Sequence, residues 1–211
     1  MQLTSGSYVS GAVINNEAGA IISLDQGAGL INTVVANAGL ISASQGANLY
    51  SSTIATSEGG SITLAGFARG GTAALSFTGN GKLDISGLDT GTTIGSLASA
   101  SATSEVILGA KALSIGDTNA STSFAGIISG AGGSITKTGT GTLTLTGANS
   151  YTGATAVDGG TLIVNGSILS SSSVTVASGA TIGGSGQLPS TTVNGTISPG
   201  NSPGTLTSTA I

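Results

Sequence analysis

The chain contains no cysteine and no histidine. No disulfide can form, a zinc site built on Cys and His is excluded, and so is a Ser-His-Asp hydrolase despite the many serines. Charge is nearly as scarce: 6% of residues are charged, against ~25% in ordinary domains. With four basic residues and a net charge of −4, no basic patch exists to neutralise a phosphate backbone. Aromatics are 3% of the chain, and the three prolines come without a Gly-X-Y period, which excludes collagen. No run of 18 apolar residues is present, so nothing here spans a membrane as a helix. The opening MQLTSGSYVSG has neither a basic region nor an apolar core and does not read as a signal peptide.

What is present is glycine and aliphatic alternation. Glycine accounts for 37 of 211 residues, about 18% against a usual ~7%. Hydrophobic residues make up 38% and mean hydropathy is +0.41, too apolar for disorder. The organising stretch runs from Gly126 to Gly166. In Thr142–Thr146, TLTLT, the period of two places Leu143 and Leu145 on one face and the threonines on the other. Gly147 closes that strand, a polar corner 148–153 follows, and Thr161-Leu162-Ile163-Val164 repeats Thr142-Leu143-Thr144-Leu145. Such a unit has no core of its own and must stack on copies of itself.

The repeat extends through the chain. A branched aliphatic recurs at Ile21, Ile41, Ile62, Leu83, Leu113, Leu143, Leu162, Ile182 and Ile197, mostly about 20 residues apart, with two longer steps around Leu113 that leave room for a loop. Two positions on, Leu64, Ile85, Ile115, Leu145 and Val164 form a second inward layer, weaker at Ser23 and Ala43. Segments 18–22 and 38–42 are twins, preceded by Asn16 and Asn37. ASASATS at 98–104 is the expected outward loop, with 117–123 a second contact point. Glycine, Ser and Thr interrupt every window long enough for a helix.

The stretch resembles the passenger-associated repeat of bacterial autotransporters, surface-displayed proteins of type V secretion. The resemblance rests on Lys137, Gly139, Gly141-Thr142-Leu143, Leu145, Gly147, Asn149, Tyr151-Thr152-Gly153, Thr155, Val157, Gly159-Gly160-Thr161-Leu162 and Val164. Ala154 and Ala156 depart from it, where a glycine and a threonine are common. Ile197 to Leu206, ISPGNSPGTL, is a second phrase of the same kind. The resemblance implies a right-handed parallel β-helix at the cell surface, exported across the outer membrane, for which a cysteine-free chain is suited. It implies an outer-membrane barrel outside these residues as partner, together with host-surface, matrix or cell–cell contacts.

Because β-helices include polysaccharide-cleaving enzymes, the acids Glu17, Asp25, Glu58, Asp84, Asp89, Glu105, Asp117 and Asp158 are the candidates for a catalytic pair, and their spacing reads as solvated surface. Glu17 and Glu58 share a repeat position but lie two turns apart, and Asp84 and Asp89 flank a turn at Gly87. Lys82 and Asp84 share one strand face, which reads as a surface pair, and Arg69 reads as a loop charge. Gly139-Thr140-Gly141 and Gly81-Lys82 lack the residues that complete phosphate-binding loops. Thr142, Thr161, Thr181, Thr196 and Thr205 precede column residues and predict an outward ladder. Its second column, Thr144, Ile163, Gly183, Ser198 and Thr207, is irregular, which favours a structural ladder and leaves an ice-binding solenoid as the second alternative.

The expectation is a single all-β solenoid, a right-handed parallel β-helix of about nine turns of three short strands, regular over 1–186 and looser over 187–211. Its role is a non-catalytic stalk with an adhesive surface, without catalytic residues, cofactor or metal, and a polysaccharide-binding or -degrading β-helix is the main alternative. An uncharged first turn holding Leu3, Tyr8, Val9, Val13 and Ile14 makes end-on self-association a further expectation, unless Met1 to Tyr8 folds back as a cap.

Overall fold

A computed structural model describes residues 1–200 and 205–210. Short strands separated by glycine-containing turns account for its regular structure, and among the described residues no helix forms. The strands pair in parallel with the strand one turn on, and the chain winds as a β-solenoid. A ten-stranded sheet runs the length of the rod, from Val13–Asn16 to Thr196–Pro199. It sets the count at about ten turns, one more than the aliphatic column suggests, and at ~4.8 Å per turn the rod is on the order of 45 Å long.

The other two faces share the length between them. A seven-stranded sheet extends from Gln2–Leu3 to Ile127–Ser129, and a six-stranded sheet from Thr92–Ile94 to Thr191–Val193. Beyond each, isolated bridges carry the face onward. Gly29, Asn48 and Arg69 link in series on the N-terminal side, and Ala148, Ser167 and Gln187 on the C-terminal side.

The core is one continuous aliphatic column inside these faces. Leu143, Leu145, Leu162 and Val164 are fully buried, as alternation requires. The proposed column is nevertheless a splice of three faces. Ile41, Ile62 and Leu83 stack in the seven-stranded sheet. Leu113 stacks on Ile135 in the six-stranded sheet, and Leu143, Leu162, Ile182 and Ile197 stack in the ten-stranded sheet. The two long steps around Leu113 are therefore changes of face, not loops. In its own sheet Leu83 is followed by Val106 and then Ile128.

The N-terminal register also differs by one residue. Ile22, not Ile21, is the inward partner of Ile41, and Ile21 is 52% exposed. Leu24 then stacks on Ala43, so the second layer is thicker here than Ser23 would make it. The asparagines before the twin segments form a buried ladder. Asn16 Nδ2 donates to Asn37 Oδ1 at 2.7 Å and to Leu40 O at 3.1 Å, and Asn37 Nδ2 donates to Ser61 O at 3.1 Å.

Glycine is needed at one corner because successive backbones touch there. A Cβ added to Gly147 would collide with the carbonyl of Gly126, one on Gly166 with that of Gly147, and one on Gly186 with that of Gly166. None of these four glycines uses left-handed backbone, so close approach rather than φ selects the residue.

On the outside, Thr142, Thr161, Thr181 and Thr196 stack in register. Thr205 lies outside that ladder, because the ten-stranded sheet ends at Thr196–Pro199. The neighbouring column runs Thr144, Ile163, Gly183, Ser198, and Thr207 pairs elsewhere, with Gln187. Met1 to Tyr8 does not fold back as a cap, since Gln2–Leu3 is a strand paired with Ser23 and Leu24. Leu3, Val9 and Ile14 at one end, and Val193, Ile197 and Leu206 at the other, pack against the core while only partly buried. In the tail, Pro199 closes its strand, and Pro203 lies outside the described residues.

Truncating Leu143 to alanine leaves a cavity between turns that the hydrogen-bonded backbone prevents from closing. The expected loss is ~2–5 kcal/mol of unfolding free energy in urea, with Thr144→Ala costing well under that. Equal losses would place the wrong face inward.

Candidate functional site

The segment that carries the sequence motif is built on three buried polar side chains. In the strand Ser134–Lys137, alternation turns Ile135 and Lys137 inward, and Lys137 is 1% exposed. Its ammonium has carbonyl partners: Nζ donates to Thr138 O, to Gly139 O at 3.2 Å and to Gly159 O at 3.2 Å, the last on the following turn. Desolvation holds its pKa below the ordinary lysine value. Asn149 replaces a strand where the seven-stranded sheet has ended. The Ile128 N–H donates to its Oδ1 at 2.9 Å, and its Nδ2 donates to Gly147 O and Ser167 O, each at 3.1 Å.

Tyr151 fills the core beneath the polar corner. Its hydroxyl lies 2.8 Å from Thr155 Oγ1, which lies 3.0 Å from Ser171 Oγ, and Ser171 donates to Gly153 O at 2.8 Å. Burial raises the phenol pKa to about 12, partly opposed by the Thr155 hydrogen bond. Among the described residues no buried side-chain nitrogen or oxygen lacks a partner. Sequence reading singled out Lys137, Asn149 and Tyr151 as motif positions. The inward turn of Lys137 was legible in its spacing from Ile135, but the capping of carbonyls was not.

The acids are spread along the turns. Six are exposed, Asp25 and Asp84 are half-buried, and among the described residues no three gather to hold a metal ion. Asp25 accepts from Ser44 at 3.0 Å, Asp84 from the backbone and hydroxyl of Ser86 at 2.9 and 2.7 Å, and Asp117 from Thr138 at 3.0 Å. Lys82 faces Glu105 on the next turn at 3.9 Å, not Asp84 on its own strand, because register places them side by side. An exposed pair of this kind contributes roughly 0–1 kcal/mol. Asp84 and Asp89 do not flank a turn. The strand Lys82–Leu88 continues through Gly87 with a register shift between Asp84 and Gly87.

The two expected loops are shorter than their sequence suggested. Ala98 and Ser99 belong to the strand Ser96–Ser99, and Ser104 is buried, leaving 100–103 to protrude. Ser99 Oγ and Ser104 Oγ lie 2.7 Å apart and clamp the base of this loop, and Ser104 donates to Gly79 O at 3.1 Å. Thr122 and Ser123 belong to the strand Thr122–Phe124. The loop before it is pinned to the next turn, with Asn119 Oδ1 accepting from the Thr140 N–H at 2.8 Å and Ser121 Oγ from the Thr142 N–H at 3.1 Å.

A groove of about 340 Å³ opens on the side where only the bridges at Asn48 and Arg69 continue the face. Tyr50, Phe67, Arg69, Thr90, Thr93 and Asp117 line it. Arg69, read from sequence as a loop charge, is exposed at its edge. The two aromatics went unmarked by sequence reading because neither repeats at the solenoid period.

The Tyr151 geometry fixes an alkaline response. The folded phenol holds its proton to about 12, above the 10.0 of the free group. The folded state therefore binds more protons between these values, and its stability falls as pH rises through that window. Tyr151→Phe is expected to cost ~1 kcal/mol at neutral pH, one hydrogen bond, and to flatten the stability decline between pH 10 and 12 in urea titrations. A parallel decline in both proteins would mean that the phenol is not the titrating group.

No curated protein and no solved structure matches the chain. Residues 135–164 match the family model of the passenger-associated-transport-repeat. That span begins one residue beyond the strand start at Ser134 and ends with the strand Thr161–Val164, and it holds Lys137, Asn149 and Tyr151 in their buried places. Sequence motif and stacked geometry coincide there, and the chain accordingly carries an autotransporter passenger repeat within a continuous parallel β-solenoid.

Proposed function

We propose that this chain is a non-catalytic segment of a surface-displayed autotransporter passenger, a stalk that also contributes an adhesive surface. The observation that carries the reading is the passenger repeat at 135–164, lying in register with turns on both sides of it. A solenoid suits export as an unfolded chain, because each turn packs only on its neighbours and folds as it emerges. The partners on this reading are an outer-membrane barrel outside these residues and host-surface, matrix or cell–cell contacts. The dispersed, separately hydrogen-bonded acids support a structural role over polysaccharide cleavage, which requires two carboxylates converging on one bond.

Placed between a signal peptide and an autotransporter barrel in a Gram-negative host, residues 1–211 are expected to reach the outside. There they would be cleaved by added protease in intact cells and would raise attachment to coated surfaces above that of cells displaying the barrel alone. Cleavage only after the outer membrane is opened would overturn the export reading. Display without a gain in attachment would overturn the adhesive one.

End-on self-association belongs to the same reading. Taken alone, the 211-residue chain presents the half-buried Leu3, Val9 and Ile14 of its first turn. Light scattering over a concentration series is expected to show association that Val9→Lys reduces. A monomer at all concentrations, or association indifferent to that lysine, would count against it.

A further inference from the structure

We propose that the groove between Tyr50 and Phe67 is a binding site for a neutral saccharide. The proposal rests on the adhesive reading of the chain and gives that adhesion a ligand class. Its first support is where this chain places its few aromatics. Of the three tyrosines and three phenylalanines, Phe77, Phe124 and Tyr151 are core residues, and Tyr8, 53% exposed, lies apart in the first turn. The remaining two, Tyr50 and Phe67, are 52% and 64% exposed and line the same groove. Aromatic faces hold apolar area at low conformational cost, and left in water that area is unused.

The groove is also partly ordered before any ligand arrives. Gly71, at φ +61°, lies against one side of the Tyr50 ring, where a side chain would sit 2.9 Å from Cδ2. Ser51, next to Tyr50, donates its N–H to Thr72 Oγ1 at 3.1 Å, which fixes the turn carrying the ring. The volume of about 340 Å³ falls in the usual range for small-molecule clefts.

The polar lining selects among ligands. Arg69 supplies donors, Asp117 acceptors, and Thr90 and Thr93 hydroxyls that do both, a set matched to the donor–acceptor character of sugar hydroxyls. The lining holds one cation and one carboxylate, so no excess positive charge favours an anionic sugar. A peptide adding as a strand requires free backbone groups. Along the bridge that continues this face they are occupied: Leu49 N–H donates to Arg69 O, Arg69 N–H to Ala47 O, and Gly70 N–H to Thr92 Oγ1. Beyond that bridge the lining offers aromatic faces and hydroxyl partners.

The test is titration of the 211-residue chain with cellotetraose, maltotetraose and tetra-N-acetylchitotetraose, and with tetragalacturonate as the anionic comparison. Binding is read by calorimetry and by tyrosine fluorescence, usable because the chain has no tryptophan. At least one neutral tetrasaccharide is expected to bind with a Kd of ~0.1–1 mM, and tetragalacturonate roughly tenfold or more weakly. Tyr50→Ala and Phe67→Ala are each expected to weaken binding roughly tenfold. Tyr50→Phe should retain it, since the ring face and not the hydroxyl makes the contact, and thermal melts should be unchanged in all three. Absence of binding by every neutral probe, a preference for tetragalacturonate, or undiminished affinity in the Tyr50→Ala/Phe67→Ala double variant would each overturn the proposal. Displayed on cells, the double variant separates the two claims. Attachment equal to wild type removes the groove while leaving adhesion standing. Tetrasaccharide binding without attachment removes adhesion while leaving the groove.

Discussion

Everything in this structure depends on the spacing of about 4.8 Å at which one turn must hydrogen-bond to the next. Parallel strands bond only to other strands, so the strand backbone of each turn is satisfied by the turns on either side of it. That spacing decides where side chains are allowed. Where the backbone bends sharply at the corner of Gly126, Gly147, Gly166 and Gly186, successive chains meet so closely that a methyl group has no room. Where the strands run straight, the interior is a narrow column that one layer of aliphatics fills, as at Leu143, Leu162 and Ile182.

In the passenger repeat, polar residues enter the interior where backbone groups need partners. Asn149 completes the hydrogen bonding of Ile128 after the seven-stranded sheet has stopped. Lys137 gathers carbonyls from two successive turns, and Tyr151 with Thr155 and Ser171 closes the polar corner. Each would be costly if left unpaired in a low-dielectric core. Each also ties one turn to the next, which gives a physical reason for the motif's spacing: it is a set of staples between copies.

The solenoid was legible in the sequence because TLTLT and TLIV state their facing unambiguously, and the buried set there came out as alternation requires. The assignment of strands to faces was not legible. All three faces use the same period of two, and Leu113 resembles Leu143 in every local respect while stacking in a different sheet. The one-residue error at Ile21 has the same origin, since Ile21-Ile22 offers two aliphatics and only the register with Ile41 chooses between them. The groove was less legible still. Tyr50, Phe67 and Asp117 are brought together by winding, and no repeat relates them.

The unequal reach of the three sheets gives the rod uneven mechanics. Only from Thr92 to Ser129 do strands of all three sheets occur together, and on either side one face is held by isolated bridges or short two-stranded pairs. A pull along the axis loads the links between turns in series, so the weakest give way first. Turns outside that stretch would then part singly, each lengthening the molecule by its own contour. The central turns would hold to the last. A tether with that profile yields in small steps under shear, and it can rewind from an intact middle when the load is removed.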